Sequence, residues 1–434
     1  VGTTAAKTTV TLDGACACGP TVTTDGTDYS ALNAGNSPNW ALVIGYQGQI
    51  IPDATQNSTL TINGSSPIIV ANGQFNLGTS GSPHTSYSSK VVFVPKKMYA
   101  CGIRVYAYNT ALEQFTLCGQ TKTYKTDYVS GTGVTGSELV VAAATNWAVN
   151  DVVVVSGNAY NKYEHKYIKT IAGTSITLSD SAGGAESALA NTHYSTDWVL
   201  NITRNVSFDT GGGNKWWFGY IAATSTTNVC FKYAGFGHVG GNASSRFSFT
   251  VASNARHALN ATGCSIYDLG NTTTLNQYLF YAYDTAVSDN TFKDNVTYCN
   301  GVLSLVTNPV SLALKNNSAS LVTNNYFVGG RYVGVYLYGY GATYDNFHIR
   351  NAAYSYSSSA TYAGIALAGG ANVTLTNCTV NGSRGHAVSI YTGVFNYTLK
   401  NCDFGTVYAN GTTGDISVYA LGETSTTIKE NCHS

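Results

Sequence analysis

A short motif recurs along the C-terminal half of the chain, and it restricts the fold more than any other feature of the sequence. In each copy a β-branched or polar run leads to Asn or Gly, then often to Cys, then to one further residue and an apolar residue. The copies read Gly263-Cys264-Ser265-Ile266, Asn290-Thr291-Phe292, Asn325-Tyr326-Phe327, Asn346-Phe347-His348-Ile349, Asn377-Cys378-Thr379-Val380, Asn401-Cys402-Asp403-Phe404 and Asn431-Cys432-His433. Their separations of roughly 20 to 35 residues are typical of solenoid coils with loops of variable length.

A right-handed parallel β-helix explains this motif. Stretches with the period of an amphipathic helix are almost absent, whereas short β-branched runs bounded by Gly, Asn and Ser are typical of strands. Coils that stack about 4.8 Å apart place like residues above one another, so we expect Asn at the corners and a column of buried Cys inside. The predicted column contains Cys264, Cys378, Cys402 and Cys432. The predicted fold class is therefore all-β, a single-stranded β-helical solenoid with an N-terminal β-rich cap or start region.

The composition restricts the partners of the chain. Only 10% of its 434 residues are charged and the formal net charge is zero, so the basic footprint of a nucleic-acid binder is missing and no nucleic-acid partner is predicted. No apolar run reaches the roughly 18 residues of a membrane-spanning helix. A hydrophobic fraction of 44% argues against disorder. A surface of uncharged polar groups suits an extracellular, cell-surface or virion-surface location.

Cysteines and sequons point to the same compartment. Ten cysteines favour an oxidising environment, and Cys101 and Cys118 are predicted to form a disulfide that closes a hairpin. The chain begins at Val1, so we expect a mature product without its signal segment. Asn-x-Ser/Thr sequons are frequent, although chance explains some of them because Asn, Ser and Thr are abundant. The predicted glycosylation sites are Asn57, Asn201, Asn260, Asn295, Asn372, Asn396 and Asn410.

The N-terminal half contains several motifs in a fixed order. They include Gly48-Gln49-Ile50-Ile51, Gly78-Thr79-Ser80-Gly81-Ser82-Pro83, Trp147-Ala148-Val149-Asn150-Asp151 and Thr203-Arg204-Asn205-Val206. Over residues 40–208 this order resembles the glycine-rich extracellular domain family that is named for its eight glycines, except that Asn150 stands where the family usually has Gly. The resemblance implies the start of a β-helix followed by further coils, and because the family includes enzymes and non-enzymes it implies fold more than function.

The predicted organisation has three parts. Residues 1–39 are an N-terminal extension that serves as a cap or a subunit contact. Residues 40–208 are the start of the β-helix, with a Cys101/Cys118 hairpin insertion, and residues 209–434 are β-helix coils. Residues of the N-terminal motifs also have structural interpretations: Gly78 and Gly81 with positive φ at turns, Asp151 as a turn cap, and Arg204 paired with an acid or a carbonyl.

Two kinds of functional site are predicted. Asp284, Asp289 and Asp294 form the densest group of acids, and two carboxylates that flank one glycosidic bond are what a polysaccharide hydrolase needs; the alternative is that they cap turns. Aromatic faces stack on sugar rings, so the dense tyrosines are candidates for glycan binding, unless they only stack along the coil surface. These tyrosines are Tyr332, Tyr336, Tyr338 and Tyr340. No phosphate loop, nucleophile elbow or zinc-site spacing occurs, and neither a cofactor nor a metal site is predicted.

These observations favour a non-catalytic structural or adhesive surface protein, a subunit of an extracellular filament or of a virion fibre or spike, with glycan binding. Only His433 and Ser434 follow the last Cys of the repeat, and an uncapped end of a β-helix exposes unpaired backbone groups. We therefore expect self-association or contacts with other subunits of a surface assembly. The alternative is a carbohydrate-active enzyme, a polysaccharide hydrolase or lyase, and a third hypothesis is a receptor-like binding module.

Overall fold

The fold was analysed in a computed structural model of the chain. It describes residues 8–12, 15–18, 42–44, 48–63, 68–71, 73–94, 102–107, 115–129, 136–159, 161–210, 217–223, 229–238, 249–251, 259–267, 280–282, 291–299, 311–314, 321–330, 333–352, 363–390, 394–405, 408–409, 412–413, 418–420 and 427–432. These residues form strands and turns and contain no α-helix. Accordingly, no helix in this part of the chain is long and apolar enough to cross a membrane.

Most strands belong to one large parallel sheet, which divides into three ladders, A, B and C. Each turn of the chain contributes to the ladders in that order, and each strand pairs in parallel with its equivalent in the next turn. Ladder A contains β1 (Thr8–Leu12), β4 (Gly48–Pro52), β7 (Gln74–Leu77), β10 (Phe115–Cys118), β19 (Val229–Lys232), β22 (Leu259–Thr262), β25 (Thr291–Lys293), the start of β28 (Leu321–Gly329), the start of β30 (Thr343–Arg350), the end of β31 (Ala363–Thr376), β34 (Val394–Lys400) and β38 (Thr427–Glu430).

The other two ladders follow the same rule. Ladder B contains β2 (Ala15–Cys18), β5 (Ser58–Asn63), β8 (Ser89–Val94), β17 (Val206–Thr210), β20 (Ala234–Gly237), β23 (Ser265–Tyr267), β26 (Val296–Cys299), the ends of β28 and β30, and β32 (Thr379–Asn381). Ladder C contains β3 (Leu42–Ile44), β6 (Ile68–Ala71), β9 (Gly102–Ala107), β18 (Trp217–Ala223), β21 (Phe249–Val251), β24 (Phe280–Ala282), β27 (Ser311–Leu314), β29 (Val333–Tyr340), the start of β31, β33 (His386–Ile390) and β37 (Val418–Ala420). The predicted parallel β-helix is therefore confirmed.

The interior of the helix is one continuous apolar core. Because neighbouring strands are in register, like side chains stack: the Phe75 and Phe115 ring centroids lie 5.4 Å apart with an interplanar angle of 20°, and the register partners Phe208 and Phe236 repeat this arrangement at 6.3 Å and 23°. Offset stacking of aromatic rings adds to the free energy gained from burial.

A column of left-handed residues forms the corner between ladders A and B, and we call it the corner column. Its members each follow a strand of ladder A and have φ between 48° and 66°; they are Tyr233, Gly263, Asp294, Asn324, Asn346, Asn377, Asn401 and Asn431. Asn tolerates this conformation better than most residues. The residue after the corner points inward: Cys264, Cys378 and Cys402 are buried, and Cys432 packs partly buried against the same core. The predicted Asn corners and interior Cys column are confirmed.

The register differs from the predicted one in the coils of the copies Asn290-Thr291-Phe292 and Asn325-Tyr326-Phe327. In the first, Asn290 lies outside the described residues and Asp294 occupies the corner after β25. Asn324 occupies the corner, while Asn325 points inward and is fully buried. Asn295 lies below Asn325, and its Nδ2 donates to the Asn325 Oδ1 over 3.0 Å. The Asn295 Oδ1 accepts from the Cys264 N–H, and the Asn325 Nδ2 donates to the Phe292 carbonyl. An amide can occupy the Cys column here because its polar atoms are hydrogen-bonded.

A second sheet is inserted between β10 and β17. The chain leaves the helix after ladder A and forms six antiparallel strands in the order β11-β16-β13-β14-β15-β12 before it returns to ladder B. They are β11 (Lys125–Asp127), β12 (Glu138–Val140), β13 (Val152–Val155), β14 (Glu164–Ala172), β15 (Ser175–Ser179) and β16 (Trp198–Asn201). We call this unit the inserted sheet. The described strands also include the short antiparallel pair β35 (Tyr408–Ala409) and β36 (Thr412–Thr413).

The inserted sheet has its own core and a docking face. Its core includes Leu139, Val153 and Ile168. On the docking face, apolar side chains pack against the outer surface of ladder B. The contact cluster contains Val154, Trp198 and Leu200 from the sheet with Val296, Tyr298 and Val328 from the helix.

The structure differs from the predicted organisation in two places. Strands β1 and β2 already pair with β4 and β5, so coil stacking begins within residues 1–39. Strands β9 and β10 belong to ladders C and A and pair with strands of neighbouring coils, so these two strands are part of the helix and do not form a hairpin insertion. The insertion instead follows Cys118, where no change in composition marks it.

Several structural roles predicted for the N-terminal motifs are present. Gly78 has a φ of 86°, and a Cβ there would collide with the Cys118 carbonyl; Gly81 does not have a positive φ. Asp151 caps a turn by accepting from the Ala148 N–H over 2.9 Å. Arg204 donates from Nε to the Gly263 carbonyl over 2.9 Å, as expected of a pairing between coils.

Candidate functional site

The predicted site residues are only partly within the described chain. Asp284, Asp289 and Tyr332 lie outside the described residues. Asp294 lies in the corner column with φ of 57°. The tyrosines Tyr336, Tyr338 and Tyr340 lie on β29 in ladder C, where the backbone register alone is described.

Asp294 is the centre of a polar group that joins the helix to the inserted sheet. Its Oδ1 accepts from the Tyr124 hydroxyl over 3.1 Å and from the Asn324 Nδ2 over 2.6 Å. The same amide nitrogen lies 2.6 Å from the Tyr124 oxygen. Lys293 stands 3.8 Å from the other carboxylate oxygen, and 20% of the Asp294 side chain is exposed. A carboxylate, an amide and a phenol therefore meet on a partly exposed edge.

A second carboxylate lies along the same corner. Asp345 ends the ladder A part of β30, and its oxygens accept from the Thr323 hydroxyl over 3.1 Å and the Asn377 Nδ2 over 2.8 Å. Lys293 pairs with Thr323, and Thr323 pairs with Asp345. Asp294 and Asp345 are thus two coil steps apart, which corresponds to about 9 to 10 Å along the helix axis. We call Tyr124, Asp294, Asn324, Asp345 and Asn377 the corner cluster.

Aromatic rings lie beside the corner cluster. Tyr326 stacks on His348 with ring centroids 4.7 Å apart, and Trp198 meets Tyr326 edge-on at 5.3 Å. The Lys125 ammonium lies 5.5 Å from the centre of the Tyr326 ring and 2.6 Å from Asp127. Tyr326 also donates its hydroxyl to the Asn324 Oδ1 over 3.2 Å, so the aromatic group and the polar group form one surface.

The protonation states at this surface follow from burial and from neighbouring charges. Burial, with Asp127 and Asp294 nearby, raises the pKa of Tyr326 to about 12. Burial also raises the pKa of Tyr124, with a further contribution from Asp294. Burial, Lys125 and Arg350 together lower the pKa of His348 to about 4. At neutral pH both phenols therefore donate hydrogen bonds and His348 is uncharged.

A buried charged network lies behind this surface. His193 hydrogen-bonds Glu164 through Nε2 over 3.0 Å and faces Asp197 through Nδ1 at 3.3 Å. Arg350 from the helix pairs with Asp197 over 2.9 Å, and its guanidinium lies 4.3 Å from the centre of the Trp198 ring. His193 and Asp197 are fully buried. This network attaches the inserted sheet to the helix and does not face solvent.

A smaller titratable group lies at the end of ladder B in other coils. His238 Nδ1 is 2.6 Å from Asp209 Oδ1, and the Tyr267 hydroxyl donates to the other Asp209 oxygen over 2.8 Å. A Cβ on Gly237 would lie 2.5 Å from the Tyr267 ring, so the close packing requires glycine. Within the described ranges, no group of three or more His, Cys, Asp and Glu side chains has the geometry of a metal site.

The predicted modification sites have different surroundings. Asn57, Asn372 and Asn396 are exposed and Asn260 is half-buried, whereas Asn410 and Cys101 lie outside the described residues. Asn201 and Asn295 are fully buried. The Asn201 Nδ2 donates to Asp151 over 2.9 Å. The acceptor role predicted for Asn201 and Asn295 is therefore not supported, because a glycan would displace bonds that the fold uses.

The thiol of Cys118 is also buried. It interacts with that of Cys230, which together with burial raises the pKa of Cys118. Its predicted pairing with Cys101 stays a prediction.

Sequence reasoning missed most of the corner cluster. Tyr124 is 170 residues from Asp294 and 200 residues from Asn324 along the chain, so no local pattern could have joined them. The sequence could have indicated Asp345, because this residue immediately precedes Asn346, a predicted corner residue of the repeat.

Comparisons with known proteins agree with the fold. The family model for the right-handed β-helix region matches residues 237–404, so these coils wind in the right-handed sense. The comparison with curated proteins gave no match. No comparison supported the eight-glycine domain family, and that resemblance stays a prediction.

Several solved structures are distantly similar. The tailspike protein gp49 of Pseudomonas phage LKA1 is 11% identical, with 85% of this chain and 72% of that chain covered and a TM-score of 0.21. A glycoside hydrolase is 10% identical, with 90% of this chain and 89% of that chain covered and a TM-score of 0.28. The periplasmic alginate epimerase AlgG is 11% identical, with 98% of this chain and 84% of that chain covered and a TM-score of 0.29. Likeness at this level does not transfer a ligand or an activity to this chain.

Proposed function

We propose that this chain is a β-helical surface protein that binds a glycan at the corner cluster. The observation that carries the proposal is the meeting of the Asp294 carboxylate, the Asn324 amide and the Tyr124 phenol on a partly exposed edge. Sugar hydroxyls both donate and accept hydrogen bonds, so they match a set that contains an acceptor carboxylate, an amide and a phenol.

The arrangement of the corner column suits an extended ligand. Polar side chains recur at each coil, and Asp345 and Asn377 continue the set beyond Asp294 and Asn324 along the axis. A glycan chain lying parallel to the helix axis would contact several coils in the same way. Such repeated contacts increase affinity without a deep pocket.

The test is calorimetric binding of oligosaccharides selected on a glycan array, with the full chain and the Asp294→Ala variant. We expect the variant to weaken binding about tenfold or more, equivalent to about 1.4 kcal/mol, because it removes the acceptor that organises the amide and the phenol. Asp403→Ala is the matched control, because Asp403 is an exposed aspartate of the same repeat in a later coil. Equal affinities of wild type and Asp294→Ala would refute the proposal.

A hydrolase is the second candidate function, and the relation between Asp294 and Asp345 favours it. Two coil steps of about 9 to 10 Å are near the upper end of the carboxyl separation in inverting glycosidases. If this function holds, bound polysaccharide is cut, new reducing ends accumulate, and Asp294→Asn or Asp345→Asn abolishes their release. Binding without any release of reducing ends would exclude the hydrolase and leave glycan binding as the proposed function.

The wider setting stays as predicted from the sequence: an extracellular, cell-surface or virion-surface protein in a filament, fibre or spike. Self-association, or contact with other subunits of such an assembly, is part of this proposal. Light scattering of the purified full chain tests self-association, and a monodisperse monomer at micromolar concentration would contradict it.

A further inference from the structure

A cleft lies on the outside of the first described coils, away from the corner cluster. It has a volume of about 300 Å³ and is formed by β4, β7 and the loop that leads into β8. Its polar lining consists of Gln49, Asn76, Thr79, Ser82, Thr85 and Ser86. We call it the loop cleft. Its volume is at the lower end of the range for ligand pockets, roughly 300 to 1,000 Å³, so it suits a ligand the size of one or two rings.

The described residues that line the loop cleft carry no fixed charge. Its lining contains no Asp, Glu, Lys or Arg, and His84 is its titratable member. Burial lowers the pKa of His84, against an opposing effect of Asp53, so His84 is neutral at neutral pH. Asp53 stands outside the lining, and its carboxylate accepts from Thr55 and Gln56. The interior therefore offers neutral donors and acceptors.

The walls of the loop cleft are held in place before any ligand arrives. The Asn205 Nδ2 donates to the carbonyls of His84 over 2.6 Å and Tyr87 over 2.9 Å. His84 also hydrogen-bonds the buried Ser89 hydroxyl over 3.0 Å, and Ser89 in turn bonds Ser58. A wall fixed in this way loses little conformational entropy on binding.

We propose that the loop cleft binds one uncharged sugar residue. The amides and hydroxyls match the hydroxyls of the ring, and Ile51, Pro52 and Ala54 form an apolar side that can cover its C–H face. A charged sugar would lose hydration against this neutral lining, and the Lys232 ammonium beside the cleft already donates to Ser80. This site is separate from the corner cluster, so the chain binds carbohydrate at two places if both proposals hold.

The experiment is saturation-transfer NMR of the full chain with methyl glycosides of glucose, galactose, mannose and N-acetylglucosamine, and with glucuronate as the charged comparison. We expect at least one neutral glycoside to bind with Kd of about 1 mM and glucuronate to bind at least tenfold more weakly, about 1.4 kcal/mol. Oligosaccharides ending in the same sugar distinguish a free monosaccharide ligand from the end of a longer glycan. Binding of no neutral sugar, or equal binding of glucuronate, would overturn the proposal.

Two variants locate the binding. Ala54→Trp and Ser82→Trp place a large side chain at exposed positions of the lining and should each weaken binding about tenfold or more. Ala185→Trp, at an exposed alanine before β16, is the matched control and should bind as the wild type does. Undiminished binding in both cleft variants, with unchanged melting temperatures, would refute this location. Asp294→Ala should keep the cleft affinity, so failure at one site is distinguishable from failure at the other.

Discussion

The β-helix and the inserted sheet differ in where their stabilising contacts come from. In the helix each strand pairs with the equivalent strand of the next coil, and like residues stack, as Phe75 does on Phe115. The inserted sheet instead docks through residues far apart in the sequence, such as Arg350 and Asp197. A repeated structure sums similar contacts between neighbours, whereas a docked insertion depends on a few specific ones. Substitutions should therefore have moderate, similar effects in the helix and larger, position-dependent effects at the junction.

The largest expected effect is that of Arg350→Met. The Arg350 side chain is 8% exposed and Asp197 is fully buried, so the variant removes one of the two cations that face this carboxylate and leaves His193 alone to balance it. Breaking such a pair from one side costs roughly 3 to 5 kcal/mol. Denaturant unfolding should show this loss, and hydrogen exchange should quicken in the inserted sheet before the helix.

The control for Arg350→Met is an exposed ion pair. Lys400 and Glu430 are 3.1 Å apart and about half exposed, so Lys400→Met should cost about 1 kcal/mol or less. Similar losses from the two variants would contradict the distinction drawn between the junction and the helix.

The second effect is a pH dependence of the junction. Burial disfavours charge on His193, but hydrogen bonds to Asp197, Glu164 and the Ser156 carbonyl overcome it and raise the pKa from 6.5 to about 9. Because folding raises this pKa, the protonated imidazole contributes on the order of 3 kcal/mol to the free energy of unfolding. The contribution is complete below pH 6.5 and is lost as the pH rises through 9.

Urea unfolding at pH 6, 8 and 10 checks the prediction for His193. Two cations also face this network: Arg350, which pairs with Asp197, and Lys166, which lies 4.0 Å from Glu164. His193→Gln removes the imidazole and keeps these two side chains, so it should flatten the profile. A wild-type stability that is equal at pH 6 and pH 10 would contradict the assignment.

The third effect concerns the interior amides of the helix. Asn325→Ala removes the acceptor of Asn295 and the donor to the Phe292 carbonyl, and an unsatisfied buried polar group costs about 1 to 3 kcal/mol. A double-mutant cycle with Asn295→Ala measures the coupling, which we expect to be favourable. Strictly additive losses would mean that the two amides act independently.

The smallest effect is at the corner column. Asn401 is exposed with φ of 51°, and a left-handed conformation disfavours a residue with an ordinary Cβ by roughly 1 to 2 kcal/mol. Asn401→Ala should therefore lower the melting temperature, while Asn401→Gly should leave it nearly unchanged. An alanine variant as stable as the glycine variant would show that the corner conformation relaxes freely.

Particular residues show which parts of the fold could be predicted from the sequence. The Asn-Cys repeat predicted the parallel β-helix, its corners and its Cys column, because a repeated coil imposes the same local requirement at each turn: a left-handed residue and then a small inward one. It misplaced the register at Asn325, since two adjacent asparagines fit the pattern equally well, and burial decides which one turns inward.

The sequence by itself therefore determined the coil and its winding, and it indicated Asp294 as one acid of interest. Tertiary structure alone decided that strands β11 to β16 form a separate antiparallel sheet, that this sheet docks on ladder B, and that Tyr124 reaches Asp294. The physical reason is the range of the interactions. Stacking acts between equivalent positions of neighbouring coils and leaves a period in the sequence, whereas docking depends on single pairs of distant residues and leaves none.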